Sequence, residues 1–541
     1  MTKRVALLAM LFLFACTFTK VPPMRDNTPM TEPIALKDLE QRAPVKDAQG
    51  NEICSDLLLR GTSVERFLDA NGDEFKLGII ELSDDGHISD DEQKEMVMKQ
   101  LHQVAKGDEE VDDDYSKSPG AIVITFVHGW HHRSKVCDNN LACFRRVLQA
   151  LSEADGKGGR PVFGVYVGWR GDTIEKKASF LSFFDRKATA HRIGAAGGRE
   201  ILLELNRTYR ELNDRIRKAN PAWKNGHPVT MVTAGHSFGG ALVYSAVERA
   251  LVRELRKRQQ PGTPRIYGSD HVVGGRPVDC AGTQVRPIRP GIGDLVVLVN
   301  PAFEARRYEF FVDDEKDKAR YAPGQLPVLL TVASEGDSAV KVAFPAGRSL
   351  YFSAFPWRYR GLPDIIGMGH YDPHTTHDLV VTDDSGKIVH PAADPKPSVD
   401  KASKETIDRC HLDVNAGDLA TCECEYEVPK QLAAVARGAD LELSSASVRV
   451  KDNENISLRA RKSDRDPHSP FIVARVSPSI ISQHSDIYTP RFVTFLTAYI
   501  SEFLQQAAAV KPGSMTDPNT PCTAVAIDAT SSTSPSLPAR P

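Results

Sequence analysis

The sequence predicts an α/β protein, a mostly parallel β-sheet with helices on both faces and a large insertion before the last core strand. Three observations predict it. Short apolar runs rich in β-branched residues recur along the chain, the composition of strands buried on both faces. Stretches with helical periodicity alternate with them. One long segment rich in Pro, Asp, Lys and His then breaks the rhythm.

Taken in order, Gly78 to Leu82 reads as a strand ending in the turn Asp84-Asp85-Gly86, and Ser89 or Asp90 caps a helix running to about Val104. Ala121 to Val127 and Pro161 to Val167 are the next strands. Arg199 to Lys218 has helical period, and Val229 to Thr233 is a further strand. Gly240 to Lys257 is a helix with Leu242, Val243, Ala246, Val247, Ala250 and Leu251 on one stripe. Leu295 to Val299, Val328 to Val332 and Phe471 to Val476 complete the strands. Thr489-Pro490 opens a closing helix, with Thr as cap and Pro in the first turn. The domain reading is a core over 116–345 and 471–510, interrupted by an insertion or cap over 346–470. An α+β extension over 48–115 precedes it, and a disordered Ser/Thr/Pro-rich tail over 511–541 follows.

With 541 residues, the chain is long enough for more than one core or for large insertions. A formal net charge of −3 and the absence of a long basic run exclude nucleic acid as an expected partner. Lys3 and Arg4 followed by the apolar stretch Val5 to Phe14 read as an export segment over 1–15, too short to span a bilayer. Leu13-Phe14-Ala15-Cys16 resembles the bacterial lipoprotein processing box. That resemblance implies acylation of Cys16, a tether over 16–47, and an outer-membrane location facing periplasm or surface; an ordinary secretory signal is the alternative. Setting Cys16 aside leaves an even number of cysteines, which suits disulfides in an exported chain. Cys137 with Cys143 is the expected short loop, and Cys410 pairs with Cys422 or Cys424.

Gly235-His236-Ser237-Phe238-Gly239 lies directly between the strand Val229–Thr233 and the helix that follows. A nucleophile elbow needs this strand–turn–helix order, which forces the serine into a strained backbone conformation and projects its hydroxyl from the sheet. With His128-Gly129-Trp130 after an earlier strand, the motif resembles the α/β-hydrolase superfamily of serine esterases and lipases, over Ala121 to Leu504 apart from the insertion. The resemblance implies a triad in the chain order Ser, acid, His. Ser237 is then the nucleophile, and His484, after the last strand, is the base. Asp337, in Ser334-Glu335-Gly336-Asp337-Ser338, is the acid; Glu304, one strand earlier, is its rival. The oxyanion donors are the backbone N–H groups of Phe238 and Trp130. The reaction implied is hydrolysis of a small-molecule or lipid ester through an acyl-enzyme, with no metal or organic cofactor. The lipid anchor is the only membrane contact expected.

Other readings stand beside this one. A non-catalytic envelope lipoprotein would keep the fold as a binding module. His370, His374 and His377 lie close enough in sequence to hold a metal, although a hydrogen-bonded polar loop is the preferred reading. Asp85 to Glu92 resembles half of a calcium loop, with Glu81 where the first Asp belongs. Asp486 is expected to support the loop or the final helix rather than His484.

Overall fold

The computed structural model describes residues 25–40, 44–46, 52–54, 59, 62–107, 114–155, 159–171, 183–223, 227–258, 272–273, 276–277, 291–316, 321, 325–394, 424, 442–461 and 469–509. The export segment, Cys16 and the tail over 511–541 lie outside the described residues. A single 13-stranded sheet organises the described chain. Its principal strands are β1 (Thr62–Leu68), β2 (Glu74–Leu82), β3 (Ala121–Val127), β4 (Val162–Trp169), β5 (Val229–His236), β6 (Leu295–Val299), β7 (Leu329–Ser334), β8 (His377–Thr382), β9 (Ser447–Lys451), β10 (Glu454–Ala460) and β11 (Phe471–Val476). The spatial order is β1-β2-β4-β3-β5-β6-β7-β11-β8-β10-β9, with Thr28–Pro29 and Ile34–Ala35 paired outside β1. Pairing is parallel from β2 through β11 to β8 and antiparallel between β1 and β2, β8 and β10, and β10 and β9; the two short outer segments pair parallel with β1.

The apolar runs read from the sequence sit where burial is complete. Every residue of β3, β4 and β6 is buried. Helices α1 (Asp91–Lys106), α3 (Phe183–Ala195), α4 (Gly197–Ala219) and α5 (Phe238–Arg258) share one apolar core on one face. Helix α2 (Asn139–Asp155) and the closing helix α7 (Pro490–Ala509) share the core on the other; α6 (Phe344–Ala354) follows β7. Asp90 caps α1, its carboxylate accepting from the N–H groups of Glu92 and Gln93. The Asp85 carboxylate accepts from the Ser83 hydroxyl inside its own turn. The half calcium loop is thus a capped hairpin turn.

This arrangement fixes where a ligand belongs. After β3 the chain leaves to the α2 face, and after its neighbour β5 it leaves to the α5 face. Opposite exits from adjacent parallel strands open a crevice at the carboxyl ends of the strands.

Three expectations need correcting. The segment over 346–470 extends the sheet: β8, β9 and β10 continue it beyond β11, with Leu379, Val381, Val448, Ile456 and Leu458 buried at every second position. Within the supposed tether, the stretch 25–40 is packed. Arg25, Met30, Ile34, Leu36 and Leu39 are buried, and the Arg25 guanidinium bonds to Glu65 and to the Ser134 carbonyl. Finally, Cys143 is joined to Cys424, 281 residues away, which overturns the pairings Cys137–Cys143 and Cys410–Cys424. Cys137 is itself disulfide-bonded. The bridge to Cys424 fastens the interrupting segment to α2. Cys410, Cys422, Cys280 and Cys522 fall outside the described residues.

Candidate active site

Ser237 stands between the carboxyl end of β5 and the first turn of α5. Its φ is +56°, in the left-handed region that a serine occupies at a cost of about 1–3 kcal/mol. The surrounding backbone holds it there. The Ser237 N–H donates to the Val299 carbonyl (3.0 Å), and the Ser237 carbonyl accepts from Ala302 N–H (3.1 Å) and Ala241 N–H (3.2 Å). Close approach demands glycine on either side of the crevice. A Cβ on Gly239 would lie 2.1 Å from the Val127 carbonyl oxygen, and one on Gly129 would lie 2.9 Å from the Ser237 Cβ. The loop carrying Gly129 and Trp130 is therefore seated against Ser237.

The sequence-predicted triad residues come together. The His484 Nε2 is 2.7 Å from the Ser237 Oγ, and its Nδ1 is 2.7 Å from the Asp337 Oδ2. Asp337 is fully buried, and its other oxygen accepts the Val340 N–H (2.9 Å). Burial raises its pKa, but the hydrogen bond and charge of His484, with the Val340 N–H, outweigh that and hold it below the usual carboxylate range. A carboxylate can only accept, so Nδ1 carries the imidazole proton. The lone pair on Nε2 is left to accept the Ser237 hydroxyl.

The runner-up acid is engaged elsewhere. Glu304 Oε1 pairs with Lys187 Nζ (2.5 Å) and Arg348 Nε (3.1 Å), and Oε2 lies 3.6 Å from Arg307 Nε. Against the cost of burial, Lys187 and Arg348 depress its pKa to about 2. Asp486 accepts the Ser482 hydroxyl within its own loop.

The loop residues read as oxyanion donors are also built from the sheet. His128 is fully buried, and burial lowers its pKa to about 4. In its neutral form Nδ1–H donates to the Gly129 carbonyl (2.9 Å), while Nε2 accepts the Trp169 N–H (3.1 Å). His128 thereby shapes the turn that carries Trp130. Phe238 occupies the first position of α5, where a backbone N–H has no acceptor within the helix. The Trp130, Phe183 and Phe238 rings pack with centroids 5.0–6.1 Å apart, an apolar wall beside the nucleophile. The neighbouring His132 bonds Asp138 (3.0 Å).

The histidines over 370–377 do not converge. His374 packs between the Tyr308 and Tyr371 rings. His377 lies 3.2 Å from the Ser444 carbonyl and 2.7 Å from the Thr376 hydroxyl. Burial lowers His370 and His377 to about 4. Among the described residues, no group of three or more His, Cys, Asp or Glu side chains is placed to hold a metal ion.

Sequence reasoning missed the residues that position the base. The His484 carbonyl accepts from His236 Nε2 (2.9 Å) and from Asn300 Nδ2 (2.9 Å). The Asn300 Oδ1 accepts the Ser334 N–H (2.9 Å), and the Ser334 hydroxyl donates to the Ile481 carbonyl (2.5 Å). The loops bearing Ser237, Asp337 and His484 are thus stitched to one another. Burial lowers His236 to about 3, so it stays neutral. One signal was available: Asn300 follows a wholly apolar strand, and its φ of +45° suits asparagine better than most side chains.

No protein-family model matches the chain, and no curated protein matches it. A solved structure described as an uncharacterized protein from Pseudomonas aeruginosa shares 11% sequence identity at a TM-score of 0.19. The match covers 55% of this chain and 42% of that one.

Proposed function

We propose that the chain is a serine hydrolase of the α/β-hydrolase type, cleaving a carboxylic ester through an acyl-enzyme. The observation that carries this reading is the unbroken relay from Ser237 Oγ through His484 to the buried Asp337, with both links at 2.7 Å. A serine hydroxyl is a weak nucleophile until an adjacent base accepts its proton. In the proposed cycle His484 Nε2 takes that proton as Oγ attacks the ester carbonyl carbon. The imidazolium so formed is stabilised by the Asp337 carboxylate. The Phe238 and Trp130 N–H groups receive the developing oxyanion. His484 then protonates the leaving alcohol, and water repeats the sequence on the acyl-Ser237 ester, releasing the acid. The aromatic wall of Trp130, Phe183 and Phe238 favours an apolar acyl group. The lipoprotein reading of Cys16 places this chemistry in the bacterial cell envelope.

A chain-length series of p-nitrophenyl esters tests the proposal. We expect saturable hydrolysis by the parent protein and none above background by Ser237→Ala. Equal rates for the two would remove Ser237 from the mechanism.

A further inference from the structure

Directly after Asp337 the chain builds a surface of unusual composition. Residues 339–362 include the aromatics Phe344, Tyr351, Phe352, Phe355, Trp357 and Tyr359, and the bases Lys341, Arg348, Arg358 and Arg360, with no Asp or Glu. Large apolar side chains stand in water there: Trp357 is 74% exposed, Leu350 72%, Val342 63% and Leu362 56%. Exposed apolar side chains grouped this way mark a surface that meets something less polar than water. Lys341, Arg358 and Arg360 are exposed, and among the described residues their side-chain charges meet no carboxylate: the Lys341 ammonium bonds the Glu335 carbonyl, Arg358 bonds the Tyr351 hydroxyl, and Arg360 bonds Asp364 through its backbone N–H alone. Exposed Trp and Tyr among unpaired Lys and Arg is the composition that settles at the boundary between headgroups and acyl chains of an anionic bilayer.

The patch is joined to the active site. The Lys341 N–H donates to the Asp337 carbonyl (3.0 Å). Phe344, the buried first residue of α6, packs on Phe183 (6.3 Å), which packs on Phe238 (5.0 Å), the residue after Ser237. The amino-terminal segment also enters at this edge of the sheet: Arg25 bonds the Ser134 carbonyl, in the loop that continues from Trp130. Arg25 lies nine positions after Cys16. An acyl anchor on Cys16 would therefore hold this edge within about 30 Å of the bilayer.

We infer that the 339–362 surface docks on a phospholipid bilayer carrying anionic headgroups, and that the ester reaching Ser237 is a lipid drawn from that bilayer. The second half rests on the serine-hydrolase reading above; the docking does not. Leu350, Trp357 and Leu362 enter the acyl boundary, Lys341, Arg358 and Arg360 meet the phosphates, and the Phe344–Phe183–Phe238 path leads inward.

Tryptophan quenching by lipids with brominated acyl chains tests it, using the full-length chain with phosphatidylcholine vesicles made with and without phosphatidylglycerol. The chain has four tryptophans. We expect quenching that Trp357→Phe largely removes, that phosphatidylglycerol strengthens, and that added salt weakens. Quenching as strong in Trp357→Phe as in the parent would overturn the docking. So would quenching indifferent to phosphatidylglycerol, or self-association through the patch that Leu350→Ser abolishes. A Leu350→Ser/Trp357→Ser variant should keep its rate on soluble p-nitrophenyl butyrate, which also verifies its fold, and lose at least about tenfold on vesicle phospholipid. Quenching at Trp357 without ester turnover or Ser237 labelling would sink the hydrolase reading and leave the docking. Turnover without quenching would do the reverse.

Discussion

Glu304 and Asp337 are buried carboxylates that follow neighbouring strands, β6 and β7, on the same edge of the sheet. Both are held below the ordinary carboxylate range. Their surroundings nevertheless differ in kind. Glu304 is surrounded by Lys187, Arg307 and Arg348, whose fixed charges absorb its own. Asp337 accepts one backbone N–H and one imidazole N–H, and no Lys or Arg pairs with it among the described residues. Its negative charge is therefore directed at the one partner able to gain a proton. The contrast teaches that burial and a lowered pKa do not by themselves separate the two carboxylates; the identity of the counter-group does, and on it rests the proposal that Asp337 is the acid.

Substitutions can break this comparison, and the largest effects should fall on the relay. Ser237→Ala should lower kcat on p-nitrophenyl esters by about 10⁴ or more, and Asp337→Asn by about 10⁴, since an amide cannot stabilise the imidazolium or hold its tautomer. Steady-state rates of the purified variants check both. Asn300→Ala should cost about 10–100-fold in kcat with KM little changed, because it releases the carbonyl that positions His484 without touching the reacting atoms. A change confined to KM would deny it that role. Glu304→Gln should cost less than about tenfold in kcat/KM. It should destabilise the fold by about 3–5 kcal/mol in urea titrations, because Lys187 and its neighbours are left buried beside a neutral amide. If Glu304→Gln instead abolished activity and Asp337→Asn spared it, the two carboxylates would have to exchange roles.

Acidification should sharpen the same contrast. His128 and His236 are neutral when folded, with pKa values near 4 and 3, against about 6.5 when unfolded. Below that unfolded value the unfolded chain binds more protons, so the stability these histidines contribute is lost as pH falls from about 6.5 towards 4. The slope is at most about 1.4 kcal/mol per pH unit for each. Glu304 has the opposite sign of titrating group but also loses on acidification, and later. Its contribution is present above the ordinary carboxylate value of about 4.3 and is lost as pH falls through about 2. The surroundings of His128 and His236 should therefore weaken before those of Glu304. Urea midpoints at successive pH values check this, and His128→Gln should flatten the slope above pH 5 by about one proton's worth. An unchanged slope in that variant and in His236→Gln would mean that neither histidine is held neutral by the fold.

The legibility of the sequence follows the same physics. Strands β3, β6 and β11 were readable to the residue because nearly every position in them is buried, leaving apolar runs broken only by Thr125 in β3 and Arg475 in β11. Strand β1 was not, because Glu65 sits in its middle. Only the fold supplies the paired Arg145 and Arg25 that permit such a charge inside. Helix α2 was hidden by the same Arg145. Strands β9 and β10 alternate apolar and polar residues over short lengths, and β8 holds only three apolar residues, Leu379 to Val381, inside a polar segment, so their signal is weak. Ser237, Asp337 and His484 could be read because each follows a readable strand. His236, Asn300 and Ser334 could not, since their role is to join loops that lie far apart in the chain. The Cys143–Cys424 bridge was illegible for the same reason.

The central claim is that Ser237 is an activated nucleophile, and active-site labelling tests it most directly. Folded protein would be treated with a fluorophosphonate probe and the adduct mapped by peptide mass spectrometry. We predict a single adduct on Ser237, absent from Ser237→Ala and formed far more slowly in Asp337→Asn than in Glu304→Gln. No adduct on folded parent protein, or an adduct that survives Ser237→Ala, would contradict the account.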